Sequence, residues 1–161
     1  MSTGELSLWT DDLSVRIQEV DEQHKGLFDL IHQLHRALGE NRGKEHSRGI
    51  LDQLAESTRT HFLLEESLMR LTHYTGFTEH KEQHETLMEQ MRTLQQTLDE
   101  GGAMIGVDVL HFLTDWLTQH IRSCDQEFSV HFEQAGFGRY ANWNQATEQA
   151  MQEKRAWWKF W

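Results

Sequence analysis

The 161-residue chain contains no proline and a single cysteine, Cys124. A β-rich protein with many tight turns rarely dispenses with proline, so long helices joined by glycine and polar loops are favoured. One cysteine excludes an internal disulfide and any Cys-x-x-Cys metal or redox motif. No apolar run approaches the roughly 20 residues of a membrane span. The opening MSTGELSLWT has neither the basic start nor the apolar middle of a signal peptide. These features point to a reducing cytoplasm. Basic residues are also scarce, 15 against 26 acidic, for a net charge of −11. That balance argues against nucleic acid, whose binding relies on basic surface. Hydrophobic residues make up 37%, enough for the core of one helical bundle in a chain of one-domain length.

Histidine, by contrast, is abundant, with eleven in the chain. Four periodic stretches frame them. In the first, VDEQHKGLFDLIHQLHRAL, Asp21 is a candidate N-cap, and Val20, His24, Leu27, Phe28, Ile31, Leu34 and Leu38 share one stripe. The second, about 44–73, places Ile50, Leu54, Thr58, His61, Glu65 and Met69 at intervals of three or four. The third, about 78–99, does the same with His80, His84, Leu87, Met91, Leu94 and Leu98. The fourth, about 107–134, runs through Leu110, Leu113, Trp116, Leu117, His120, Cys124 and Phe128, and GFG at 136–138 supplies C-cap glycines. Four amphipathic helices with short connections predict an all-α, up-down-up-down four-helix bundle over residues 1–138.

His24, His61, His80, His84 and His120 all fall on core-facing stripes, and so does Glu65. A buried carboxylate is costly unless paired or bound to a cation. One core histidine is usually a hydrogen-bonded one, but five beside a glutamate are not satisfied without a metal. The remaining histidines, His32, His35, His46, His73, His111 and His131, lie off the stripes or near helix ends, where surface positions are expected. Imidazole and carboxylate donors without thiolate suit iron, manganese, zinc or copper. A structural zinc needs only four ligands, so this set fits two ions bridged by carboxylates. No glutamate has a histidine three residues later, which excludes a ferritin-like pair of Glu-x-x-His motifs. In HKEQH, Glu82 stands one place too late for the His-Glu-x-x-His of zinc proteases.

VDEQH at 20–24, HFLLEESLM at 61–69, HKEQH at 80–84 and WLTQHIRSCD at 116–125, with Trp9 ahead of the first helix, resemble the hemerythrin family in its single-domain bacterial form. The resemblance covers roughly residues 6–133. It implies a non-haem diiron centre with an oxo or hydroxo bridge and reversible binding of dioxygen rather than enzymatic turnover. It assigns His80, His84 and His120 to one iron, His24 and His61 to the other, and Glu65 and Asp125 to both. The two-histidine iron then keeps an open position for dioxygen. The family often has proline after the tyrosine of HYTGFTEH, where Thr75 stands here. A sensor, or a protein handling peroxide or nitric oxide, is the alternative use of the same centre. An iron store is disfavoured by so closed and histidine-rich a site.

Helix geometry by itself favours a different ligand on the last helix. Five residues of ideal helix put Asp125 about 140° from His120, whereas Cys124 shares the histidine's face. The resemblance favours Asp125, and a wider, π-type turn between the two residues would bring Asp125 round to the centre. Phe62, Met69, Trp116 and Leu117, each within about one turn of a ligand, form the expected dry oxygen pocket. Residues 139–161 extend beyond the resemblance and carry a local charge of +2. Trp143, Ala146, Thr147, Ala150, Lys154, Trp157 and Trp161 predict an additional C-terminal helix. Its RAWWKFW end suits either packing on the bundle or on a second copy in a homo-oligomer, or a weak, salt-sensitive contact with a membrane surface or membrane enzyme.

Overall fold

A computed structural model describes Leu6 and residues 8–40, 43–101 and 105–137 of the chain. Among these residues the regular structure is entirely helical, and consecutive long helices run antiparallel through short connections. Helix α1 spans Gln18–Gly39, α2 Lys44–Leu71 and α3 Phe77–Asp99. The fourth rod is one continuous run made of α4, Val107–His120, a π-turn at Ile121–Asp125, and α5, Gln126–Gln134. α1 packs chiefly on α2, α2 on α3, and α4 returns against α1. The anticipated extra helix and Gly138 lie outside the described residues.

The stripes read from the sequence are the buried ones. Val20, Leu27, Phe28, Ile31 and Leu34 of α1 are almost wholly excluded from solvent, as are Leu54 and Met69 of α2, Leu87 and Met91 of α3, and Leu110 and Leu113 of α4, while Leu38, Leu94, Trp116 and Cys124 of the same stripes are half-buried. Each fully buried aliphatic or aromatic side chain of this kind contributes about 1.5–3 kcal/mol relative to exposure. Two threonines within the stripes keep their hydroxyls satisfied locally. Thr58 donates to the Leu54 carbonyl at 2.7 Å and Thr114 to that of Leu110 at 2.8 Å.

Asp21 is not an N-cap. α1 starts three residues earlier, with Ile17 at the cap position, and the Asp21 carboxylate instead accepts the Val15 N–H at 2.8 Å and the Ser14 hydroxyl at 2.5 Å. It thereby anchors an N-terminal arm whose Leu13, Val15 and Ile17 are buried. Arg122 and Gln126 hold the arm from the fourth rod, through the Asp12 carboxylate at 3.1 Å and its carbonyl at 2.9 Å. Arg16 turns between two buried neighbours with a φ of 59°, a conformation few non-glycine residues adopt.

The α2–α3 connection places His80. Tyr74 packs against Phe128 and His131, and a Cβ at Gly76 would meet its ring at 2.7 Å, so only glycine fits there without movement. Thr75 is exposed. Of the histidines assigned to the surface, His46 and His73 are exposed, while His32, His35, His111 and His131 are half-buried. His131 departs furthest from expectation, because its Nε2 lies 2.8 Å from the Thr72 carbonyl, which ties α5 to the end of α2.

Candidate metal centre

His24 from α1, His61 and Glu65 from α2, His80 and His84 from α3, and His120 and Asp125 from the fourth rod converge in the bundle interior, each no more than 3% exposed. Their positions follow from helical spacing. His61 and Glu65, and likewise His80 and His84, stand four residues apart and so share a face. Asp125 reaches the same face because the π-turn absorbs the extra rotation. Cys124 is turned toward α3, half-buried, with its thiol donating to Gln83 Oε1 at 3.1 Å.

Among the described residues the donor atoms form two clusters that share both carboxylates. One holds His80, His84, His120, Glu65 and Asp125, the other His24, His61, Glu65 and Asp125, with the donors of each cluster within 4.8 Å of one another. Asp125 faces both ways. Its Oδ1 is 3.0 Å from Nε2 of His80 and of His120, and its Oδ2 is 3.1 Å from Nε2 of His24. Glu65 Oε2 lies 3.3 Å from His84 Nε2 and 3.5 Å from His61 Nε2.

The protein's own hydrogen bonding does not satisfy these groups. Both oxygens of Glu65 and of Asp125, both ring nitrogens of His24, and Nε2 of His61 are buried without a hydrogen-bond partner. The Nε2 atom of His120 lies 3.1 Å from those of both His80 and His84, a convergence of lone pairs that one shared proton cannot serve. Such an arrangement is expensive unless cations fill it. Two divalent ions set against two carboxylates and neutral imidazoles meet that need, and the nitrogen and oxygen donors suit iron.

The electrostatics agree. Burial, then repulsion from Asp125, raises Glu65 to about 8. Burial and the neighbouring His24 hold His61 well below its ordinary value, and burial likewise lowers His84 against an opposing hydrogen bond to Glu66. For His120 burial works downward, but the charge of the Asp125 carboxylate 3.0 Å away prevails and lifts it to about 10. A metal ion held by His120 would take the place of the proton that the Asp125 charge favours there, so loading would release protons.

Three side chains that sequence reasoning passed over orient the histidines. Gln23 Oε1 accepts from His61 Nδ1 at 2.9 Å, Gln83 Oε1 from His120 Nδ1 at 3.1 Å, and Glu66 Oε1 from His84 Nδ1 at 3.1 Å. Each places the ring proton on Nδ1 and turns the Nε2 lone pair inward. A signal was present in the sequence, since Glu-Gln-His occurs twice, at 22–24 and 82–84. Each glutamine serves a histidine on another helix rather than its neighbour, which linear spacing does not reveal.

Beside the clusters, Phe62 stacks on His84 with centroids 3.7 Å apart, and Trp116 stacks on His120 at 4.5 Å. Phe62 and Leu117 also line an apolar cavity of about 20 Å³ together with Leu27, Thr58, Leu87 and Leu113. Met69 is fully buried but does not line this cavity, and neither does Trp116.

The family model for the hemerythrin HHE cation binding domain matches residues 15–129, a span that contains all seven converging side chains. The chain belongs to the hemerythrin family. It is 33% identical over 120 residues to a bacteriohemerythrin of Pseudomonas aeruginosa, covering 73% of this chain and 76% of the relative. A bacteriohemerythrin of Methylococcus capsulatus is 31% identical over 75% of this chain and 92% of its own. The myohemerythrin of Sipunculus nudus is 30% identical over 75% and 89%. A crystal structure of wild-type hemerythrin superposes with a TM-score of 0.75 at 29% identity, covering 80% of this chain and 98% of that one. The all-helical bundle is thus the fold of hemerythrin structures. No helix among the described residues is long and apolar enough to cross a membrane.

Proposed function

We propose that this hemerythrin binds dioxygen reversibly at a carboxylate-bridged diiron centre held by His24, His61, Glu65, His80, His84, His120 and Asp125. The observation that supports this reading best is the unequal division of donors, three histidines in one cluster and two in the other, across the same pair of carboxylates. Iron held by these residues supplies one-electron chemistry at each ion and, on the side with fewer donors, room for a diatomic ligand.

The chain's own residues supply the rest. Glu65 and Asp125 offset the charge of two cations in a low-dielectric interior. Gln23, Gln83 and Glu66 hold three imidazoles in one tautomer and one orientation. Phe62, Trp116 and Leu117 exclude water and larger ligands from the centre, which favours release of the diatomic over irreversible oxidation of the iron. Storage, delivery or scavenging of dioxygen fits such a device.

The test is elemental analysis of protein from iron-replete cells, followed by absorption spectra of the reduced protein under alternating argon and oxygen. Two irons per chain and a charge-transfer band that appears with oxygen and disappears under argon are expected. One zinc per chain without iron would overturn the reading. A band that forms once and never reverses, together with sustained turnover of peroxide or nitric oxide, would replace binding by a redox or sensing role.

A further inference from the structure

The three histidine supports are not equivalent. Gln23 and Gln83 offer neutral amide oxygens, whereas Glu66 offers a carboxylate. Glu66 is also the most enclosed of the three, 7% exposed, so its charge acts across a weakly screening medium. Its two oxygens have different partners. Oε1 accepts from His84 Nδ1 at 3.1 Å, and Oε2 faces the half-exposed Arg70 guanidinium at 3.6 Å. Arg70 in turn lies over the Phe77 ring at 5.2 Å, which keeps it at the mouth of this path. A line of contacts therefore runs from the surface through Arg70, Glu66 and His84 to the three-histidine cluster. Nδ1 of His80 and of His24 has no hydrogen-bond partner.

We propose that Glu66 is a positioning residue that sets the reduction potential of the three-histidine iron, with Arg70 as the surface group that moderates it. This inference rests on the diiron reading above. A carboxylate accepting the Nδ1 proton draws that proton away from the ring and makes Nε2 a stronger donor to a metal. Stronger donation stabilises the ferric ion and lowers the potential. Arg70 competes for the same carboxylate and weakens the effect. The two-histidine cluster, supported by Gln23, receives no such push, so the two irons differ in donor strength as well as in donor number.

The experiment is redox titration of the iron-loaded protein, with iron content and the ferric charge-transfer band read on every sample. Glu66→Gln keeps an oxygen acceptor for His84 and removes the charge. It is expected to retain two irons and shift the midpoint potential to more positive values. Arg70→Ala, a substitution at the surface, is expected to produce a smaller shift to more negative values, and Gln83→Glu, which brings a carboxylate to His120, also a negative one. A purely structural support would not change sign in this way. Unchanged potentials in Glu66→Gln and Arg70→Ala at full iron content would overturn the proposal. Should Glu66→Gln lose iron, Arg70→Ala decides: a negative shift upholds the proposal and no shift ends it. Wild-type protein that holds no iron would remove the diiron reading itself, an outcome distinct from either of these.

Discussion

At Leu34, Leu51 and Leu110 the bundle interior is apolar and sealed, each residue 0% exposed; at ten residues' remove on the same helices stand His24, His61 and His120, also buried. About 15 Å of helix separates the two layers. In the leucine layer every buried group gains by leaving water, so folding is its own reward. In the histidine layer, both oxygens of Glu65 and of Asp125, both ring nitrogens of His24 and the Nε2 of His61 leave water without hydrogen bonds to replace it. The contrast teaches that the bundle is held together by one layer and made useful by the other. The leucine layer offsets the cost of assembling the histidine layer, whose unsatisfied donors are suited to holding cations.

The most severe way to break this contrast is Asp125→Ala. Asp125 belongs to both clusters, so its loss should reduce iron from two per chain to less than one, measured by elemental analysis against protein concentration. The helical circular dichroism should persist, because the leucine layer is untouched. An iron content still near two would show that Glu65 alone suffices as the shared carboxylate.

Leu117 lies at the boundary of the layers, lining the apolar cavity three residues before His120. Leu117→Ala should cost about 2–5 kcal/mol of stability in chemical denaturation. It should retain both irons and accelerate autoxidation, because water gains access to the centre. Wild-type autoxidation at full iron content would show that the cavity wall does not control access.

The mildest effect lies beyond the leucine layer, where Arg48 of α2 donates to both carboxylate oxygens of Asp99 at the end of α3, each at 2.9 Å. This hydrogen bond holds Asp99 below its ordinary 3.8 and raises Arg48. A depressed carboxylate stabilises the fold above its unfolded value, and the contribution is lost as pH falls through the lower folded value. Asp99→Asn should therefore be slightly less stable than wild type at neutral pH and indistinguishable from it well below pH 3.8. Denaturation curves at the two pH values check this, and iron content should not respond.

The helical stripes were legible because a periodicity near 3.6 survives in the linear order of Leu27, Ile31 and Leu34 or of His61 and Glu65. Asp21 was misread because an aspartate before an apolar run looks like an N-cap, while its actual partners, Ser14 and the Val15 N–H, belong to an arm with no periodicity of its own. His131 was assigned to the surface because its partner, the Thr72 carbonyl, is on a different helix.

Sequence alone determined that five histidines and a glutamate would share the interior of a helical bundle, since spacing along one helix dictates which face a side chain occupies. Helix periodicity by itself pointed to Cys124 and only the family resemblance pointed to Asp125, because the choice depends on how tightly the last helix winds over five residues. The sequence did not show that Gln23, Gln83 and Glu66 would support histidines borne on other helices. Those outcomes were decided by tertiary structure. Packing four helices around buried donors made a π-turn worth its lost regularity and brought side chains distant in sequence to within 3.1 Å of the rings they orient.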